Sequence, residues 1–150
     1  MYPFTLAIHN ILRWVVLILA IVATVQAYLG WFGKRPWTER DRKNGAFLSM
    51  ALDIQLLAGL LLYIVFSPIT KAAFQDFGAA MQITDLRFFA LEHALYMLLA
   101  VVFAHLGSIL PRKVDEPAAK FKRAAIWFSL ALLVILLGMP WARPLLPGLG

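Results

Sequence analysis

The chain has 150 residues, of which 62% are hydrophobic, carries a formal net charge of +6 and contains no cysteine. Soluble domains are roughly half apolar, so this composition favours a membrane protein. The lack of cysteine excludes disulfides, thiolate metal ligands and thiol catalysis.

The apolar residues fall into four blocks, and each can supply the ~20 residues that cross a bilayer. In chain order the blocks are 4–32, 46–67, 88–110 and 124–142. We predict an all-α, polytopic membrane protein, a four-transmembrane-helix bundle that forms a single domain over residues 1–150. The hydrophilic loops are too short to build a soluble active site.

The segments between the blocks differ in character. The loop after the first block is short and polar, and the second block stops at Ser67-Pro68. In the following outer segment, apolar residues at helical spacing indicate a short helix on the membrane interface, although an irregular loop fits equally well. Asp85 is a candidate N-cap for the third span. The fourth span contains no ionisable residue, which is typical of a structural helix.

The basic residues are distributed asymmetrically. Ten of the 14 Lys and Arg lie in the first and third loops: Lys34, Arg35, Arg40, Arg42, Lys43, Arg112, Lys113, Lys120, Lys122 and Arg123. By the positive-inside rule these loops are cytoplasmic and both termini are outside, an N-out/C-out topology. The positive charge therefore indicates contact with anionic lipid headgroups and not with nucleic acid.

Two histidines have matching depth in the predicted membrane. His9 and His93 each lie about six residues from the outer end of spans that run inward, at about 1.5 Å per residue, so both rings belong to the outer half. This arrangement suits bis-histidine ligation of a haem b iron. Small residues on the same faces would leave a slot between the first and third spans: Ala20, Ala27, Ala90, Ala100, Ala104 and Gly107.

The alternatives remain open at this point. Stripes of small residues also pack membrane helices without any ligand, and a membrane histidine is often only hydrogen-bonded to a neighbour. Two histidines make a poor zinc site unless a carboxylate such as Glu92 joins them. Arg13 lies one turn below His9 and needs an anion, which is either Glu92 or a cofactor oxygen. Arg87, nearer the outer surface, suits haem propionates.

A second matched pair lies towards the cytoplasmic side. Asp53 in the second span and His105 in the third are each six or seven residues from the inner end. Twelve residues separate His93 from His105, about 18 Å along a helix, so the two cannot bind one iron. Asp53 and His105 form a hydrogen-bonded pair, a proton-entry point or half of a lost second site; we favour the structural pair.

Three short motifs resemble a known family. The stretch HNILRW (His9, Arg13, Trp14), the stretch QLLAGLLLY (Gln55, Gly59, Tyr63) and the stretch RFFALEH (Arg87, Glu92, His93) resemble small bacterial four-helix membrane proteins called cytochrome b or cytochrome b561-like. The resemblance implies haem b, electron transfer with quinone as a possible partner, and the bacterial inner membrane. Relatives often carry histidine where Asp53 stands, so at most one haem follows.

The sequence thus favours a membrane-embedded haem b electron carrier with His9 and His93 as axial ligands and Arg13, Arg87 and Glu92 around them. A cofactor-free accessory subunit of a larger membrane complex is the alternative, and a small proton-coupled transporter is the third. A stand-alone enzyme is disfavoured. Partners that stay open are quinone, redox proteins and a second copy of the chain.

Overall fold

The computed structural model describes residues 1–141, and these contain helices and no strands. The helices are α1 (Tyr2–Phe32), α2 (Glu39–Leu60), α3 (Pro68–Gln75), α4 (Phe77–Ala80), α5 (Thr84–Arg87), α6 (His93–Ile109) and α7 (Pro117–Gly138). A π-helical segment, Leu61–Phe66, extends α2, another, Phe88–Glu92, joins α5 to α6, and a 3-10 turn, Leu110–Lys113, follows α6.

Four helical segments are long and apolar enough to cross a membrane: Tyr2–Phe32, Glu39–Phe66, Thr84–Lys113 and Pro117–Gly138. The predicted all-α four-helix bundle is therefore confirmed. The fourth span, α7, begins seven residues before the predicted block and ends at Gly138. Position 142, where that block was expected to end, lies outside the described residues. Large apolar side chains such as Ile18, Leu57 and Leu133 face outwards, as a bilayer requires.

The outer segment between the second and third spans is helical. Ser67 caps α3 by accepting a hydrogen bond from the Thr70 amide, and Asp76 caps α4 by accepting one from the Ala79 amide. The helical alternative for this segment is thus correct. Asp85, in contrast, lies inside α5, whose N-cap is Ile83, so the predicted Asp85 cap is wrong.

The four spans pack as a square. α1 packs mainly on α2 and α7, and α6 packs mainly on the same two helices. α1 and α6 are therefore diagonal to each other. Neighbouring helix axes lie about 8–10 Å apart, which places diagonal axes roughly 11–14 Å apart. Side chains from α1 and α6 consequently meet across the centre of the bundle.

Aromatic rings of α7 fill the inner half of this centre. A Cβ placed on Gly107 of α6 would overlap the Phe128 ring, and one placed on Gly30 of α1 would overlap the Phe121 ring. Ala20 and Ala104 are fully buried in the same core. The inner part of the small-residue stripes therefore accepts α7, and the slot expected between the first and third spans is filled there.

The contact between Gly107 and Phe128 gives a test of this packing. Overpacking a filled core costs about 1–3 kcal/mol, so Gly107→Leu should lower the thermal unfolding temperature in detergent, followed by circular dichroism. The loss should shrink in a Phe128→Ala background, because truncating the ring makes room. An equal loss in both backgrounds would contradict the proposed contact.

Candidate functional site

The two outer histidines meet at the centre of the bundle. The ring centres of His9 and His93 lie 6.2 Å apart, and their planes are inclined by 70°. His9 belongs to α1 and His93 is the first residue of α6. The matched depth read from the sequence thus corresponds to real proximity, although the helices that carry the rings are diagonal and not adjacent.

Both rings line a cavity of about 730 Å³ in the outer half of the bundle. This volume is within the range of small-molecule and cofactor sites, which are mostly apolar with a few polar groups. Apolar side chains of all four spans form most of its wall. The polar side chains on it are Tyr2, His9, Asn10, Arg13, Gln55, Tyr63, Ser67, Thr70 and His93.

A backbone carbonyl orients His93. Its Nδ1 lies 2.7 Å from the carbonyl oxygen of Gly138, at the end of α7. Because a carbonyl only accepts hydrogen bonds, Nδ1 carries the proton and Nε2 keeps its lone pair. Histidines that bind metals usually have their other ring nitrogen held by such a carbonyl or carboxylate.

His9 is held by Gln55 of α2. The Gln55 amide nitrogen donates to the His9 carbonyl oxygen at 3.0 Å and lies 3.4 Å from His9 Nε2. Nε2 therefore acts as the acceptor and Nδ1 carries the proton. Within the described residues, His9 Nδ1 and Gln55 Oε1 are buried without a hydrogen-bond partner. Such atoms are costly, which marks the site as unusual.

A hydrogen bond joins the two π-helical segments at the outer end of the cavity. The Tyr63 hydroxyl, in the first, donates to the Ala90 carbonyl oxygen in the second at 2.5 Å. Thr70 of α3 in turn donates to the Tyr63 carbonyl oxygen at 2.8 Å. π-Bulges occur frequently at functional sites. Here the second leads directly into His93, so Tyr63 helps to fix where α6 begins.

Sequence reasoning assigned no individual role to Gln55, Gly59 and Tyr63, yet all three line the cavity. A Cβ on Gly59 would lie 3.3 Å from His9 Cε1, so the glycine lets α2 approach the ring. The three residues are spaced by four, and residues four apart share a helix face. That spacing is the signal that could have identified this face of α2.

The charged residues around the site are arranged differently from the prediction. Arg13 lines the cavity and is only 8% exposed. Glu92 instead pairs with Arg87, whose Nε donates to Glu92 Oε1 at 2.7 Å. The expected Arg13–Glu92 pair is therefore wrong within the described residues. The π-helical turn explains this, because i→i+5 geometry brings residues five apart onto one face. Arg87 and Glu92 do not line the cavity.

The two residues of the inner pair lie beside each other, as their matched depth predicts. His105 Nε2 lies 3.4 Å from Asp53 Oδ2, and His105 Nδ1 lies 2.9 Å from the Val101 carbonyl oxygen. This pair bridges α2 and α6 and lies apart from the cavity. Among the described residues, no group of three or more His, Cys, Asp or Glu could hold a metal ion. A zinc site that combines both outer histidines with Glu92 is therefore unsupported.

Comparison of the chain with protein-family models, curated proteins and solved structures found no match. The cytochrome b-like resemblance thus stays a prediction from short motifs. The chemistry must be inferred from the geometry of the cavity.

The bridge between the π-helical segments can be tested by removing one oxygen. Tyr63→Phe deletes the hydrogen bond to Ala90 and should cost about 0.5–1.5 kcal/mol of stability, measured as a lower unfolding temperature in detergent. Tyr96→Phe is the matched control, since the Tyr96 hydroxyl makes no hydrogen bond within residues 1–141. Equal effects of the two substitutions would argue against the bridge.

Proposed function

We propose that this chain binds one haem b between His9 and His93 and carries electrons within the membrane. The observation that supports it most is the meeting of the two rings on the cavity wall. The ring centres lie 6.2 Å apart, so both histidines could hold the iron of a haem that occupies the cavity, and the iron would supply one-electron chemistry there.

The surroundings of the rings also fit haem. Cofactor sites in helical bundles are built from inward side chains on facing helices, as His9 and His93 are. Because the Gly138 carbonyl accepts a hydrogen bond from His93 Nδ1, Nε2 keeps the lone pair that a metal ion would take. His9 Nε2 becomes a ligand if Gln55 keeps its hydrogen bond to the His9 carbonyl and gives up the longer contact to the ring.

The protein's contribution is to tune the charge around the site. A bound haem would supply the one-electron change of its iron. Arg13 holds a permanent positive charge on the cavity wall and favours the reduced iron or a propionate. Arg87 and Glu92 neutralise each other in their ion pair and lie off the cavity wall. A lipid-soluble quinone is an electron partner that could reach such a site from the bilayer.

A cofactor-free accessory subunit is the second candidate. The observation that favours it is the α7 packing, in which Phe121 and Phe128 fill the small-residue stripes without any ligand. In that case the two histidines only join helices. For either candidate we propose the bacterial inner membrane, with the basic loops cytoplasmic.

The visible spectrum separates these two functions. Protein purified from cells grown with ample haem should show a reduced-minus-oxidised α-band, and a colourless preparation would overturn the haem proposal. His9→Ala and His93→Ala should each abolish the band. His105→Ala is the matched control and should leave it unchanged, because His105 lies about 18 Å along α6 from His93.

The role of Arg13 predicts a change in redox potential. A nearby positive charge disfavours oxidation of the iron, so Arg13→Met should lower the midpoint potential measured by spectroelectrochemical titration. Arg13→Lys should retain most of the original value. Arg112→Met, at the far end of the third span, is the control for an unspecific loss of charge. If Arg13→Met leaves the potential unchanged, Arg13 does not act on the site.

A further inference from the structure

The Asp53–His105 pair lies on the outer surface of the bundle, in the groove between α2 and α6. The side chains are 50% and 39% exposed, respectively. The residues one or two turns away on the same faces are large, apolar and exposed: Met50 and Leu57 on α2, and Leu98, Val102 and Ile109 on α6. We call Asp53, His105 and these five apolar residues the α2/α6 face.

This position is unfavourable in lipid. Asp53 lies seven residues inside the apolar block that begins at position 46, which corresponds to roughly 10 Å of helix and is too deep for its short side chain to reach the headgroups. Ionisable residues inside membranes almost always face protein or a water-filled cavity. The pair is outside the described cavity, so protein is the covering that suits it.

The pair also has unused bonding capacity. His105 directs Nδ1 at the Val101 carbonyl and Nε2 at one Asp53 oxygen over 3.4 Å, which is long for a charge-assisted hydrogen bond. The other carboxylate oxygen of Asp53 makes no hydrogen bond within residues 1–141. Asp53 thus presents an unused acceptor on this face, beside a His105 Nε2 whose contact with the carboxylate is long.

We propose that the α2/α6 face binds a second copy of this chain. A two-fold axis brings the same patch of both copies together, so that residue i meets residue j and the reverse. Asp53 of one copy then lies against His105 of the other, and both pairs are completed at once. The surrounding apolar side chains cover the resulting cluster of four polar groups. This inference does not depend on haem binding.

Cysteine cross-linking tests the face directly, because the chain has no native cysteine. Val102→Cys and Leu57→Cys are two separate single variants. In native membranes, a short bismaleimide should join two copies of each variant into a product of twice the 16.8 kDa chain mass. Leu133→Cys is the control on α7, since Leu133 is as exposed as Val102, at 52% and 50%, but lies on another face. It should stay monomeric.

Three results would overturn the proposal. These are the absence of the homodimer at both test positions, an equal yield at Leu133, and a product of some other mass without the homodimer. The last would mean that a different protein covers the face.

The charge complementarity has its own test in the Val102→Cys background. Asp53→Asn should reduce the cross-linked fraction several-fold, whereas the exchange Asp53→His with His105→Asp should restore it, because a symmetric pair of faces accepts the swapped set equally well. Circular dichroism of each variant reports whether the fold is kept. Unchanged cross-linking in a folded Asp53→Asn protein would show that the pair does not hold the two copies together.

Discussion

The packing of α7 against glycine and alanine is the constraint on which the other features depend. Phe121 and Phe128 occupy space that any side chain at Gly30 or Gly107 would need. Their bulk fills the inner half of a square bundle in which α1 and α6 are diagonal. The outer half has no equivalent aromatic filling from α7, whose helix ends at Gly138. The cavity and the two histidines lie there.

The end of α7 also organises that outer half. The Gly138 carbonyl, at the last turn of the helix, has no intrahelical partner and accepts a hydrogen bond from His93 Nδ1. A helix terminus thus sets the tautomer of a ring on a neighbouring helix. The hydrogen bond from Tyr63 to the Ala90 carbonyl joins the two π-helical segments and adds a second constraint. The site is therefore assembled from element ends and bulges, where backbone groups are available to bind side chains.

Sequence reasoning succeeded where a single helix or its depth in the membrane decided the outcome. Hydrophobic length gave the four spans, and counting residues from the helix ends paired His9 with His93 and Asp53 with His105. It failed for Arg13 and Glu92, because the π-helical turn places Glu92 beside Arg87. It also overlooked Gln55, whose partner on α1 cannot be seen from α2 alone.

The sequence by itself determined that the chain is an all-α membrane bundle and which ionisable residues share a depth, because bilayer thickness and helical rise fix both. Only the tertiary structure decided which helices are neighbours. That arrangement makes the small-residue stripes a packing surface for α7 and brings His9 and His93 together across a diagonal of the bundle. It also leaves Asp53 and His105 on the outside, since rotation about a helix axis depends on packing partners and not on depth.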